Sequence, residues 1–228
     1  MSFIEENLQN VQQKIHSACG KAGRSSNVQI VAVTKYVSLE TTRRALEAGI
    51  HHIGESRSQD ALPKWEALGP QAAWHFIGHL QTNKVRDIIG KFEYVHSLDR
   101  YSLAAEISKR GLAANAITKC FIQVNISGEE TKHGLEPDEV ENFIRKIKDL
   151  PSIEIIGLMT MAPYVEDPEE TRPVFLGLRE LRDELCAVFP DLHLPHLSMG
   201  MSNDYHIAVE EGATFIRLGS TLVGDERN

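Results

Sequence analysis

Cysteine is scarce in this chain: Cys19, Cys120 and Cys186 stand far apart among 228 residues. That excludes a disulfide framework and the close pairs of a zinc site, and it points to a reducing cytoplasm. Long apolar runs are missing, so no stretch approaches the ~20 residues of a membrane-spanning helix. Positive charge is in deficit, with 24 Lys and Arg against 32 Asp and Glu and a formal net charge of −8. Nucleic acid and anionic membranes attract basic surfaces, so neither is expected as a partner. The short cluster Lys84, Arg86 and Lys91 reads as a solvated helix face. A secretory leader is not expected either, because Glu5 and Glu6 stand where its positive charges belong.

What is present is an ordinary globular composition, 42% hydrophobic, enough for a real core. The N-terminus predicts a capped helix: Ser2 and Glu5 make a capping box, and Ile4, Leu8, Val11 and Ile15 share one face. Strand-like runs then follow at 28–36, 51–55, 73–79, 92–98, 120–126, 153–161, 196–201 and 214–218. Amphipathic helical segments separate them. Val140, Phe143, Ile144 and Ile147 share a face after Pro137, as do Val174, Leu178, Leu181, Leu185 and Val188. Gly49, Gly90, Gly111 and Gly212 fall where helices end in a left-handed cap. Eight strand–helix repeats predict an α/β chain folded as a (β/α)8 TIM barrel over residues 1–228, with an N-terminal helical extension at 1–23. The structural alternative, an open doubly wound sheet, is disfavoured because no glycine-rich dinucleotide fingerprint follows the first strand. No linker, repeat or low-complexity tract divides the chain.

The most informative residue is Lys35, at the carboxyl end of the apolar run Ile30–Tyr36. A lysine is among the residues least often buried in a strand. Either its ammonium snorkels to water, or it works as a neutral amine that a desolvating site has made nucleophilic, as a Schiff base to an aldehyde requires. Carboxyl ends of barrel strands converge on the active site, and the loops after the seventh and eighth strands often bind phosphate. Here those loops are Ser198-Met199-Gly200-Met201-Ser202 and Arg217-Leu218-Gly219-Ser220. Serine and glycine there fit an anion cradle, and they equally fit plain caps and turns. Arg217 lies inside an apolar strand and cannot shed its charge, so burial demands a partner. That partner is either a structural acid or a ligand near Lys35.

Other features are weaker. His51, His52, His193 and His196 fall at the opposite end of the barrel, without an acidic set for a metal, and read as surface or structural. His79 is better placed but fits an ordinary loop histidine. Met159, Met161, Met199 and Met201 suit an irregular pocket lining. The glycine-bounded polar loop 127–134 is either a lid or a solvated connection.

Several stretches resemble the pyridoxal-phosphate homeostasis protein family, whose fold is similar to the barrel domain of alanine racemase. They are Ala32–Lys35, His75–Lys84, Gly157–Pro163, Leu197–Ser202 and Ile216–Ser220, spread from the first strand to the last. The resemblance implies pyridoxal 5′-phosphate as cofactor, with Lys35 forming a Schiff base to it and Arg217 facing its pyridine nitrogen. Ser202, Gly219, Ser220 and Ser198 would hold the phosphate, and Met201 would join the cofactor site. One departure is Ser56, where many relatives carry asparagine.

A guanidinium at the ring nitrogen leaves that nitrogen unprotonated and the ring a poor electron sink. Alanine racemases work with this limitation by using two bases, one of them a tyrosine from a partner subunit. The chain runs only a few residues past its last strand, so the expected function is a carrier: a cytoplasmic monomer that holds the cofactor for storage or delivery to apoenzymes. The alternatives are a weak or narrow amino-acid racemase and a cofactor-free Schiff-base aldolase acting on a phosphorylated sugar.

Overall fold

Alternation of inward and outward side chains along parallel strands organises the molecule. The computed structural model describes residues 2–25, 27–129 and 132–227. The chain runs α1 (Phe3–Lys21), β1 (Gln29–Val33), α2 (Leu39–Glu47), β2 (His52–Glu55), α3 (Ser58–Leu68) and β3 (Ala73–Phe76). It continues through α4 (Val85–Ile88), β4 (Tyr94–Leu98), α5 (Tyr101–Ala114), β5 (Thr118–Gln123) and α6 (Val140–Ile147). The last elements are β6 (Ile153–Met159), α7 (Arg172–Val188), β7 (His196–Ser198), α8 (Tyr205–Glu210), β8 (Phe215–Leu218) and α9 (Ser220–Val223). The eight strands close a parallel barrel in sequence order, and β8 returns to β1 through Ile30↔Ile216 and Val31↔Arg217.

Most strands are shorter than the apolar runs that predict them, chiefly at their carboxyl ends. Thr34, Ile77, Val124 and Met199 each still donate one hydrogen bond to the neighbouring strand, and residues 35–36, 78–79, 125–126 and 200–201 lie beyond the strands. Those residues turn outward from strand pairing to form the mouth, where loops carry function.

Two apolar clusters fill the fold. The large one packs the outward faces of the strands against the helices, including Ile53, Trp74, Ile122, Leu158 and Leu197. The small one, with Val31, Tyr94, Phe121, Met159 and Phe215, fills the barrel interior. Gly157 is required where β6 passes β7, because a Cβ there would sit 1.9 Å from the His196 carbonyl oxygen.

The expected capping box is present: Ser2 N–H donates to Glu5 at 2.6 Å, and Glu5 N–H donates to Ser2 Oγ at 3.4 Å. Helix α1 buries Ile4, Val11, Ile15 and Ala18. Each large aliphatic side chain there contributes about 1.5–3 kcal/mol. Asn7 Nδ2 donates to the Leu222 carbonyl at 3.1 Å, fastening α1 to α9. The shared faces of α6 and α7 are also found, except that Val188 stays exposed at the end of α7.

One expected cap is corrected. Gly49, Gly90 and Gly212 take positive φ, but Gly111 lies inside α5, and Asn115 supplies the left-handed turn with φ 49°. Gly111 answers a packing need instead: a Cβ there would meet Ser152 Cβ at 2.6 Å and the Ala116 carbonyl at 2.8 Å.

Candidate functional site

The end of β1 sets the position of Lys35. Thr34 N–H still donates to the Gly54 carbonyl at 3.0 Å, so the strand geometry persists past Val33. The Thr34 hydroxyl points outward and donates to Glu55 Oε1 at 2.6 Å. Strand alternation then turns Lys35 inward. Behind the strand, buried Lys64 donates to the Thr34 carbonyl at 2.6 Å and to Glu55 Oε1 at 2.8 Å. This outer ion pair pins the backbone one residue before Lys35. Lys35 itself is half-buried, with Nζ 4.8 Å from the centroid of the Tyr36 ring.

Lys35 opens onto a cavity of about 470 Å3 at the carboxyl end of the barrel. That volume lies within the ~300–1,000 Å3 range usual for small-molecule sites. Arg217, from the neighbouring strand β8, borders the same cavity and is almost fully buried. Its Nη1 donates to Ser198 Oγ at 2.6 Å and its Nη2 to the Thr160 carbonyl at 2.9 Å. Burial pulls the guanidinium down to about 10, against the opposing influence of Asp204, so it remains a cation at neutral pH. Neither hydrogen-bond partner carries charge. The structural-acid reading of Arg217 therefore fails in its simple form: Asp204 acts through its field, without a salt bridge among the described residues.

The two glycine–serine loops form the rest of the rim. Gly200, at φ +93°, turns tightly enough that a Cβ would meet Tyr205 Cα at 2.9 Å. The turn is closed by Asp204, whose Oδ1 accepts from Met201 N–H at 2.6 Å. Burial raises the Asp204 carboxyl, opposed by that bond and by Arg217. Arg217 N–H donates to the Gly200 carbonyl at 3.0 Å, tying both loops together. Met201, Ser202, Gly219 and Ser220 line the same cavity as Lys35 and Arg217, and Ser56, just after β2, lines it too.

The model of the alanine racemase N-terminal domain family matches residues 4–227. A pyridoxal phosphate homeostasis protein of Aquifex aeolicus is 46% identical over 224 residues, 97% of this chain and 98% of its own length. One of Vibrio cholerae is 36% identical over 231 residues, covering 99% and 97% of the two chains. This chain belongs to the pyridoxal phosphate homeostasis protein family. Among solved structures, PipY of Synechococcus elongatus with PLP bound superposes with a TM-score of 0.85 at 33% identity, covering 97% of this chain and all of PipY.

Against that family frame, the cavity gathers Lys35, Arg217, Met201, Ser202, Gly219 and Ser220. Ser198 is the exception. It does not line the cavity; its hydroxyl is fully buried and engaged by Arg217 and by His96 Nδ1 at 2.8 Å. As an inward residue of β7 it sits one layer below the rim, with its hydroxyl taken up inside the chain. The methionine expectation divides likewise: Met161 and Met201 line the cavity, whereas Met159 and Met199 are core.

His52 takes the structural one of its two expected roles. It is half-buried, with its ring inside the barrel against His75, Tyr94 and Phe215. In the loop 127–134, residues 130 and 131 lie outside the described residues. Of the remainder, Lys132 Nζ donates to Glu129 at 2.8 Å and to the Met161 carbonyl at 3.3 Å, and His133 joins the cavity wall. His133 stacks on His79 with ring centroids 4.5 Å apart. Burial first, and Arg100 next, lower the His79 imidazole.

Sequence reasoning missed the return of the C-terminal segment. Gly224, Asp225 and Arg227 line the cavity, and Glu226 N–H donates to the Tyr36 carbonyl at 3.0 Å. Its carboxylate also accepts from Ser38 N–H at 2.7 Å. Lacking apolar periodicity, these residues carry no strand or helix signal.

Proposed function

We propose that this chain binds pyridoxal 5′-phosphate, holds it on Lys35 as a reversible Schiff base, and serves its storage or delivery in vitamin B6 homeostasis. The observation that carries this reading is that Lys35 and Arg217, from adjacent strands, face one cavity whose rim is the two glycine–serine loops.

The donor set fits the group. An aldehyde needs an amine, which Lys35 supplies. A pyridine nitrogen needs a donor, and Arg217 spends only two of the five guanidinium N–H groups on the chain itself. A phosphate needs hydroxyl and backbone donors at an open rim, where Ser202, Gly219 and Ser220 stand. When bound, the group would supply a carbonyl that amines attack. Around it, Arg217 orients the ring and keeps its nitrogen unprotonated, because a guanidinium does not give up its proton readily. The Lys64–Glu55 pair fixes the backbone from which Lys35 reaches inward. The PLP-bound PipY structure and the names of the relatives support the same cofactor. A monomeric, cytoplasmic carrier that passes the cofactor to apoenzymes belongs to this proposal.

The test is borohydride reduction of the protein after incubation with pyridoxal phosphate, followed by peptide mass. One phosphopyridoxyl group on Lys35 is expected. No adduct, or an adduct elsewhere, would overturn the reading. Robust Lys35-dependent turnover of an amino acid would replace the carrier by a racemase.

A further inference from the structure

Barrel interiors are ordinarily filled by layers of branched aliphatic side chains. This one holds an unbroken row of polar contacts. His52 Nδ1 on β2 meets His75 Nε2 on β3 at 2.9 Å, and His75 Nδ1 meets His96 Nε2 on β4 at 2.8 Å. His96 Nδ1 meets Ser198 Oγ at 2.8 Å, and Ser198 Oγ accepts from Arg217 Nη1 at 2.6 Å. His75, His96 and Ser198 are fully buried, while His52 reaches the amino-terminal mouth. Tyr94 stacks on His75 with ring centroids 4.2 Å apart, and Phe215 contacts all three imidazoles. The rings shield the row from water.

Its direction follows from chemistry. A guanidinium only donates, so Ser198 accepts from Arg217. The serine proton then has one acceptor among the described residues, His96 Nδ1. His96 is thereby the Nε2–H tautomer and donates to His75; His75 and His52 follow in the same sense. The last N–H belongs to His52 and is left for the solvent at the mouth. A row running the other way would strand the serine proton inside the barrel, at the cost of a buried unpaired group.

Such a row accommodates one cation. A proton added to His52 Nδ1 turns an acceptor into a donor facing the N–H of His75. Restoring the contact requires His75 and His96 to carry their protons on Nδ1. Ser198 then receives donors from both sides, and its own proton has no acceptor. We propose that His52, His75, His96 and Ser198 act as one positioning unit for Arg217, so that a proton taken up at His52 in the amino-terminal mouth weakens the guanidinium's hold in the cavity at the opposite mouth. This rests on the reading of Arg217 as the group that faces the cofactor ring.

The groups facing His52 are His51 just before β2, His75, the Tyr94 phenol, Lys119 on β5 and Glu93 just before β4. The last two are paired at 2.8 Å. Burial is the largest influence on His52, and it lowers the imidazole below its ordinary value. Burial also holds His75 and His96 neutral, and Arg217 adds to the effect at His96. On the cavity side Asp204 faces Arg217 and offsets part of its charge.

The test uses cofactor-free protein labelled with 15N at histidine. His52, His75 and His96 are expected as Nε2–H tautomers. Ser198→Ala cuts the row without changing any charge, and coupling at the low end for linked sites makes His52 bind a proton about fivefold more tightly. Ser198→Thr keeps the hydroxyl and is expected to restore the wild-type midpoint. A His52 midpoint unmoved by Ser198→Ala, or a wild-type His96 carrying its proton on Nδ1, would overturn the proposal; the second outcome needs no variant to fold. With pyridoxal phosphate bound, the absorption spectrum is expected to inflect at the His52 midpoint, and His52→Asn to abolish that inflection. An unchanged inflection in His52→Asn would equally count against it. If no adduct forms, the cofactor reading fails, while the tautomers and the His52 midpoint still decide the row.

Discussion

Lys35 and Lys64 meet the same strand end from opposite sides. Lys64 comes from α3 behind the sheet, is buried, and is held by the Glu55 carboxylate and the Thr34 carbonyl. Lys35, one residue beyond Thr34, faces a cavity that Arg217, Arg227, Asp204 and Asp225 also line, and makes no side-chain hydrogen bond among the described residues. The outer lysine is satisfied by the chain and holds the fold. The inner one is left to a ligand. In a barrel the two roles differ by a single step of the strand, because alternate residues face alternate sides.

Exchanging the roles by mutation breaks that comparison, and the largest effect is expected on the inner side. Lys35→Ala is expected to abolish the borohydride-fixed adduct completely and to leave the thermal midpoint near wild type, as peptide mass and calorimetry would report. Lys64→Ala is expected to do the reverse. It strands Glu55, whose Oε2 already has no partner among the described residues, and losing one member of a buried pair costs about 3–5 kcal/mol. Denaturant unfolding measures it. The double replacement Lys64→Met with Glu55→Leu is expected to recover most of the loss, since an apolar pair carries no stranded charge.

Acid sharpens the comparison inside the barrel. His75 and His96 are neutral in the fold, with burial holding both well below the ordinary imidazole value. The unfolded chain binds protons at those residues from about pH 6.5 downward. Stability is therefore present above that pH and lost below it, by up to about 2.7 kcal/mol per pH unit for two such groups. Unfolding followed from pH 7 to 5 checks both sign and slope. The smallest effect belongs to the rim: Ser220→Ala removes one hydroxyl and is expected to weaken pyridoxal phosphate binding by about 0.5–1.5 kcal/mol, seen in a titration.

How much of this was legible in the sequence depends on the range of the signal. The eight strands announced themselves as apolar, β-branched runs, and Lys35 and Arg217 stood out as charges inside two of them. Lys64 did not, because a lysine in a polar helix is ordinary; only its spacing from Ala61 and Leu68, both buried, placed it on the inner face. The histidine row was hidden for a different reason. His52, His75 and His96 lie on three strands more than twenty positions apart in sequence, and no local window contains two of them. The usable signal was one histidine at an inward position on each of three successive strands, in phase with Ser198 and Arg217. Ser198 is hard to tell from the rim serines because a glycine–serine loop looks alike from its first serine to its last. Only the depth of the strand end separates a buried hydroxyl from a rim donor.

Helix α1 has a consequence in time. Its apolar face closes on α8 and α9, and Arg24 just beyond it donates to the Val209 and Ala213 carbonyls at 2.7 and 3.0 Å. These partners lie far downstream in the chain. A ribosome adding about 5–20 residues per second needs roughly 10–40 s to lay down the two hundred or so residues between them. Throughout that interval α1 displays an unmatched greasy stripe, the kind of surface that holdase chaperones bind.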